Sequence, residues 1–277
     1  MNRLIIFTDL DGTLLDHATY SFEKAQPALN RLKQKNIPLV ICSSKTKTEI
    51  EHYRKNLDNN HPFISENGGG IFIPAGYFEV SIHGSSFDVA EENRSHVIRL
   101  GANYGDLRGL IEELRREGFG VRGFGDMTAQ EVAELTGLSI QEAETAKERD
   151  FDEPFVFEGN EEEVPALLKA IKGKGFNVTQ GRFFHLIGNS DKGKAVSILI
   201  DLYKKNFGEI LTVAVGDSPN DIPMLEAADI PVIVQQSDGT YDARIDLPNL
   251  TRADGIGPEG WNTAILGLLS VSRFSEQ

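Results

Sequence analysis

Asp9 and Asp11 stand two residues apart in Asp9-Leu10-Asp11-Gly12-Thr13-Leu14, directly after the apolar run Leu4 to Phe7. Two carboxylates so placed at a strand end can divide the work of phosphoryl transfer between them. A phosphate monoester resists hydrolysis because the attacked group is anionic and the leaving alkoxide is poor. Catalysis needs a positioned nucleophile, a cation to offset charge and an acid for the leaving oxygen. Asp9 suits the nucleophile, and Asp11 suits the acid that afterwards takes a proton from water. Gly12 lets the chain turn there. A plain turn has the same composition, since Asp and Gly dominate turns.

The elements that must position these groups follow from hydropathy. Pro38 to Cys42 reads as a second buried strand ending in Ser43-Ser44, and Phe63-Ile64 as a third, followed by Glu66-Asn67 and three glycines. Residues 22–35 carry Phe22, Ala25, Leu29 and Leu32 at helical spacing. Leu211 to Val215 is another strand, stopping at Gly216-Asp217. Pro219 suits the first turn of the helix that bears Met224 and Leu225, and Pro231 to Val234 is one more strand. Strands alternating with helices predict a doubly wound, mainly parallel-sheet α/β core of Rossmann-like type. In such sheets the ligand crevice lies beyond the carboxyl ends of the strands, where these polar residues fall.

The middle third is organised differently. Short strands are expected near 96–100, 119–122, 154–158 and 182–187, with helices over 103–116, 128–148 and 160–173. This predicts an α/β cap domain, residues 85–187, inserted into a core formed by 1–84 and 188–277. Hinges are expected at 83–87 and 187–191, where Gly84, Gly188 and Asn189 lie.

Composition bounds the rest. Of 277 residues, 40% are hydrophobic and 25% charged, ordinary for a globular protein. No apolar run reaches the roughly 18 residues of a membrane span, and carboxylates follow the N-terminal run where a signal peptide needs small residues. The single cysteine, Cys42, fits a reducing cytoplasm. A net charge of −14 argues against nucleic acid as a partner, but not against a small anionic substrate held by a cation and a few placed side chains. Nothing in the chain points to a protein partner.

Four segments together resemble the haloacid dehalogenase-like phosphatase superfamily: Asp9-Leu-Asp-Gly-Thr, Ser43, Lys192 in Ser-Asp-Lys-Gly-Lys-Ala, and Gly216-Asp-Ser-Pro-Asn-Asp221. They occur in the family's order and on the expected elements. The resemblance implies an Mg²⁺-dependent phosphatase working through an aspartyl-phosphate on Asp9. Mg²⁺ would be held by Asp9, the Asp11 carbonyl and Asp217, with Asn220 and Asp221 in support. Ser43 would donate to the phosphoryl group and Lys192 would offset its charge. Ser44 competes with Ser43, and Lys194 with Lys192. Asn220 and Asp221 can also cap the helix that follows them.

Further segments resemble mannosyl-3-phosphoglycerate phosphatases: Cys42-Ser-Ser-Lys-Thr, Ser65-Glu-Asn-Gly-Gly, Arg122-Gly-Phe-Gly-Asp-Met-Thr, Ala146-Lys-Glu-Arg-Asp-Phe-Asp-Glu-Pro-Phe and Gly181-Arg-Phe-Phe-His-Leu. Many relatives carry Thr-Gly-Arg where Ser43-Ser44-Lys45 stands. The implied substrate bears a phosphate, a carboxylate and a sugar. Lys45, Arg149 and Arg182 could meet its anionic groups, and Asn67, Glu153 and His185 its hydroxyls. Gly68, Gly69 and Gly70 could cradle an oxyanion or simply form a turn. Arg149 and His185 could equally face solvent. Competing readings are a phosphatase of another sugar phosphate (a glucosyl-3-phosphoglycerate or sucrose phosphate type), a sugar phosphomutase on the same core, and a non-catalytic phosphosugar sensor.

Overall fold

A computed structural model describes residues 3–79, 89–92 and 94–270. In chain order it contains β1 (Arg3–Thr8), α1 (Gln26–Gln34), β2 (Leu39–Cys42), α2 (Lys47–Asn56), β3 (Phe63–Ser65), β4 (Gly70–Pro74), β5 (Val89–Glu92) and β6 (Ser95–Arg99). There follow α3 (Tyr104–Arg116), β7 (Val121–Gly123), α4 (Ala129–Thr136), α5 (Ile140–Ala146), β8 (Asp152–Phe157), α6 (Val164–Gly173), β9 (Asn177–Gln180) and β10 (Phe184–Ile187). The chain closes with α7 (Lys192–Phe207), β11 (Ile210–Gly216), α8 (Ile222–Ala227), β12 (Ile230–Gln235), β13 (Thr251–Ile256) and α9 (Pro258–Ser270).

Among the described residues the larger sheet runs β13-β12-β11-β1-β2-β3-β4-β6-β5. The pairs from β13 to β3 are parallel, and β4, β6 and β5 add antiparallel pairs at one edge. Alternate side chains of the central strands enter opposite layers, as a strand buried on both faces requires. Leu4, Ile6, Leu39, Ile41, Val213 and Val215 pack with α1 and α9. Ile5, Phe7, Val40, Cys42 and Ala214 pack with α7 and α8. The core is therefore doubly wound, with β1 at its centre.

A second sheet, β7-β8-β10-β9, is antiparallel throughout and packs on α3 and α6 through Leu107, Ile111, Phe155 and Leu167. No helix among the described residues is long and apolar enough to cross a membrane.

Two expectations need correction. The strand near 96–100 forms, as β6, but it pairs with β4 in the larger sheet. Val97 enters one core layer and Ile98 the other, so the middle of this strand is buried on both faces. The single helix over 128–148 is two helices. Gly137 closes α4 in the left-handed region at φ 81°, and Ser139 opens α5 with a capping box to Glu142. The hinge expected at 83–87 lies outside the described residues.

Candidate active site

The site forms where β1, β2, β11 and β12 end. Asp9 leaves β1 with its N–H on the Val215 carbonyl, so the first acidic loop is tied to the strand that delivers Asp217. Gly12 then turns at φ 79°, and a Cβ there would sit 2.9 Å from Asp217 Oδ2. Only glycine allows the two loops this close. Thr13 completes the joint by donating its hydroxyl to Asp217 Oδ1 at 2.8 Å.

Asp9, Asp217 and Asp221 lie buried together, each with a carboxylate oxygen within 4.8 Å of the others. Lys192, at the start of α7, is fully buried and donates to Asp9 Oδ1 at 2.5 Å and Asp221 Oδ1 at 2.6 Å. Asp221 Oδ2 accepts the N–H groups of Asp217 and Ser218. Burial pushes the Asp9 carboxyl up to about 7, the Lys192 ammonium opposing that rise and the Asp221 charge adding to it. Burial with the Asp221 and Asp9 charges drives Asp217 well above the ordinary carboxylate range. Burial opposes charge on Lys192, but Asp221 and Asp9 outweigh it and keep the ammonium protonated.

Three carboxylates around one ammonium leave an excess of negative charge out of water, which is costly unless a cation joins them. The donors are all hard oxygens, the set that Mg²⁺ prefers. Asp221 is already engaged on both oxygens, so Asp9 and Asp217 are the carboxylates best placed to hold the ion. Asn220 lines the cavity, but its amide is turned sideways, donating to Asn67 Oδ1 and accepting from Ser218.

A cavity of about 330 Å³ opens over this cluster, lined on one side by Asp9, Asp11 and Lys45 and on the other by Arg149, Arg182 and His185. Asp11 Oδ2 is 3.1 Å from Lys45 Nζ, while Asp11 Oδ1 is buried without a hydrogen-bond partner among the described residues. Lys45 is itself buried, 3.4 Å from Glu49 and 5.0 Å above the Tyr20 ring. Burial opposes its charge, but Asp11 and Glu49 prevail and hold it protonated.

The structure separates the remaining sequence-predicted residues. Ser44 is on the cavity wall; Ser43 is fully buried behind it, its Oγ accepting the Lys45 N–H at 3.2 Å. Lys194 is excluded as a competitor, since it lies on the surface bonded to Asn189. Arg149 and Arg182 reach the wall already engaged: Arg149 donates to the Ser44 and Ala146 carbonyls, and Arg182 to the Thr136 and Leu135 carbonyls at the end of α4.

Four assignments are corrected. Glu153 faces away from the cavity, its oxygens taken by Arg108, Tyr104 and the Gly125 N–H. Asn67 is buried behind the wall, donating to Asp152. Gly68 and Gly69 form no oxyanion cradle on the cavity: a Cβ on Gly68 would meet the Asp191 carbonyl at 2.1 Å, and one on Gly69 the Phe151 Cβ at 2.2 Å. Their smallness serves backbone packing between segments.

Two acidic residues that carried no site role in the sequence stand beside the wall. Asp152 bonds His185 Nδ1 and lies 3.6 Å from Arg149. Glu66 is fully buried, and its carboxyl accepts the consecutive N–H groups of Asp150, Phe151 and Asp152. Burial pushes that carboxyl up to about 8, opposed by Arg149.

Residues 6–246 match the haloacid dehalogenase-like hydrolase family. The chain belongs to that family. A relative from Methanococcoides burtonii, named glucosyl-3-phosphoglycerate/mannosyl-3-phosphoglycerate phosphatase, is 49% identical over 97% of this chain and 98% of its own. A mannosyl-3-phosphoglycerate phosphatase of Pyrococcus horikoshii is 40% identical over 83% of this chain and 90% of its own. Among solved structures, one from Thermoplasma acidophilum superposes with a TM-score of 0.66 at 20% identity, covering 96% of this chain and 98% of that one. That likeness is one of fold, and its coverage takes in both sheets.

Proposed function

We propose that this family member is an Mg²⁺-dependent phosphatase that hydrolyses a glycosyl-3-phosphoglycerate, mannosyl or glucosyl, to the glycosylglycerate and phosphate. The observation that carries the reading is the Lys192–Asp9 contact beside Asp217, at the floor of a cavity walled by basic cap residues. The printed names of the relatives support the substrate class.

In this mechanism the Asp9 carboxylate attacks phosphorus and the bond to the glycerate oxygen breaks. Asp11 gives its proton to that departing oxygen. Water then attacks phosphorus of the aspartyl-phosphate, Asp11 takes the water's proton, and Asp9 leaves as carboxylate with release of phosphate. Bound Mg²⁺ would supply positive charge against the phosphoryl oxygens. Lys192 offsets charge from the protein side, Thr13 fixes the Asp217 rotamer, and Lys45 orients Asp11 through their 3.1 Å contact.

Of the stretch placed by sequence at 85–187, β5 and β6 join the larger sheet, and the unit from α3 to β10, with its own sheet, acts as the cap that excludes water during the first step. A cytoplasmic location belongs to the proposal, supported by Cys42 being free and buried. The test is phosphate release, with Mg²⁺, from mannosyl- and glucosyl-3-phosphoglycerate beside simple sugar phosphates. Preference for the glycosyl-phosphoglycerates is expected, and equal rates on hexose phosphates would overturn the substrate class.

A further inference from the structure

Asp152 opens β8 and is wholly buried, with its carboxylate at the meeting point of three donors. Asn67 Nδ2 donates to Oδ2 at 2.7 Å, Arg149 Nη1 is 3.6 Å from Oδ1, and His185 Nδ1 lies 2.9 Å from Oδ2 and 3.0 Å from Oδ1. Burial disfavours charge there, yet His185, Arg149 and Asn67 together hold the carboxyl below its ordinary range. An ionised carboxylate only accepts hydrogen bonds, so Nδ1 must carry the ring proton.

The ring's other nitrogen is placed differently. His185 is 4% exposed, and its residual surface lines the cavity. Nε2 has no hydrogen-bond partner among the described residues and is not among their buried orphan atoms. In a neutral ring protonated on Nδ1, Nε2 is an acceptor. The β8–β10 register supplies the geometry: Ile187 lies opposite Asp152 and His185 opposite Pro154, so His185 and Asp152 share one face of the pair.

From this arrangement we infer that Asp152 is a positioning residue, fixing the tautomer of His185 so that Nε2 accepts a hydrogen bond from a hydroxyl of the glycosyl group. The hydroxyl partner rests on the proposed function; the tautomer does not. Asp152 thereby links the fixed core residue Asn67 to a reader on the cap wall. Arg149, sharing the same carboxylate, is held in place beside it.

The first test is the imidazole ¹⁵N spectrum of the wild-type enzyme near neutral pH, the His185 signals being assigned by their loss in His185→Gln. The neutral form of the ring should carry its proton on Nδ1. A neutral form protonated on Nε2 would overturn the inference, and this measurement needs neither activity nor a folded Asp152 variant. The second test is Asp152→Asn, whose amide can turn its oxygen to Asn67 and its NH₂ to His185, moving the ring proton to Nε2. Loss of one acceptor should raise KM for the glycosyl-3-phosphoglycerate about tenfold, with kcat changed less than about threefold. In a His185→Gln background the same change should add less than about twofold, because Asp152 acts through His185. Full additivity would show a merely structural role and overturn the inference. If wild-type enzyme releases no phosphate from any glycosyl-3-phosphoglycerate, the substrate reading fails, and the spectrum alone decides the positioning role.

Discussion

The Lys192 ammonium sits 2.5 Å from Asp9 Oδ1 and shares itself with Asp221 Oδ1 at 2.6 Å, so the proposed nucleophile is tethered to α7 before any substrate arrives. This contact aims the other Asp9 oxygen. It also supplies positive charge where the transferred group must pass. Lys192→Met should lower kcat about 10²- to 10³-fold, the scale for losing one placed charge stabiliser. Steady-state kinetics with saturating Mg²⁺ checks this, and a change under about fivefold would refute the role.

Asp9→Asn should abolish turnover and leave no acid-stable phosphoryl adduct when the reaction is quenched and weighed by mass spectrometry. Asp9 is one of three buried carboxylates sharing one ammonium, so neutralising it relieves repulsion. The metal-free variant should therefore melt no lower than the metal-free wild type. Residual Mg²⁺-dependent turnover in this variant would remove Asp9 from the nucleophile's place.

Mg²⁺ should stabilise the wild-type protein in proportion to the logarithm of its concentration, by about 2.7 kcal/mol at a hundred times Kd. Asp217→Ala should erase most of that gain and the metal-dependent activity with it. Differential scanning fluorimetry across an Mg²⁺ series reads the effect directly, and an unchanged melting temperature in the wild type would argue against the cluster as a cation site.

Gly12→Ala forces a side chain into the left-handed region, at a cost of about 1–2 kcal/mol, and places its Cβ 2.9 Å from Asp217 Oδ2. We expect a lower melting temperature together with weaker Mg²⁺ binding. A variant that loses stability but binds Mg²⁺ as before would show that the Asp217 loop gives way freely.

His61 gives a pH signature far from the active site. Burial, with Arg54 and Arg3 nearby, lowers its pKa to about 4, and its Nδ1 meets the Tyr77 hydroxyl at 2.7 Å. The unfolded chain binds the extra proton below about 6.5, the folded one only near 4. The stability due to the neutral ring is thus fully present above about 6.5 and is lost as pH falls towards 4. Urea unfolding at about pH 7 and about pH 5 should show a steeper loss in the wild type than in His61→Asn. Parallel pH slopes would refute it.

The gathering of charged residues at the cavity floor was legible because its signals are local. Asp9, Asp11, Lys192 and Asp217 each follow a strand or open a helix, and the strands themselves are short apolar runs. The cap wall was not, because facing depends on pairing. Glu153 was chosen where its neighbours Asp152 and Pro154 face the site, and in a strand an error of one residue reverses the face. Asp152 acquires its role only once β8 and β10 are in register and Asn67 arrives from the core. Gly68 and Gly69 show the other limit: a glycine run reads alike whether it leaves room for a ligand or for Asp191 and Phe151. Nor could hydropathy say that β6 belongs to the larger sheet, since its partner β4 is distant in sequence, with β5 between them.

Glu66 has a consequence for how the cavity can be reached. Its carboxyl gathers three successive N–H groups at the threshold of β8, so parting the two sheets on that side strands several buried polar groups at once. Across the cavity, the Tyr20 hydroxyl touches the Thr136 carbonyl at only 3.4 Å, beside solvent-facing Leu135. The resistance to opening is lopsided, strong along one seam and weak along the other. We therefore expect substrate and product to pass by the end of α4, with the Glu66 seam as the pivot about which the gap widens.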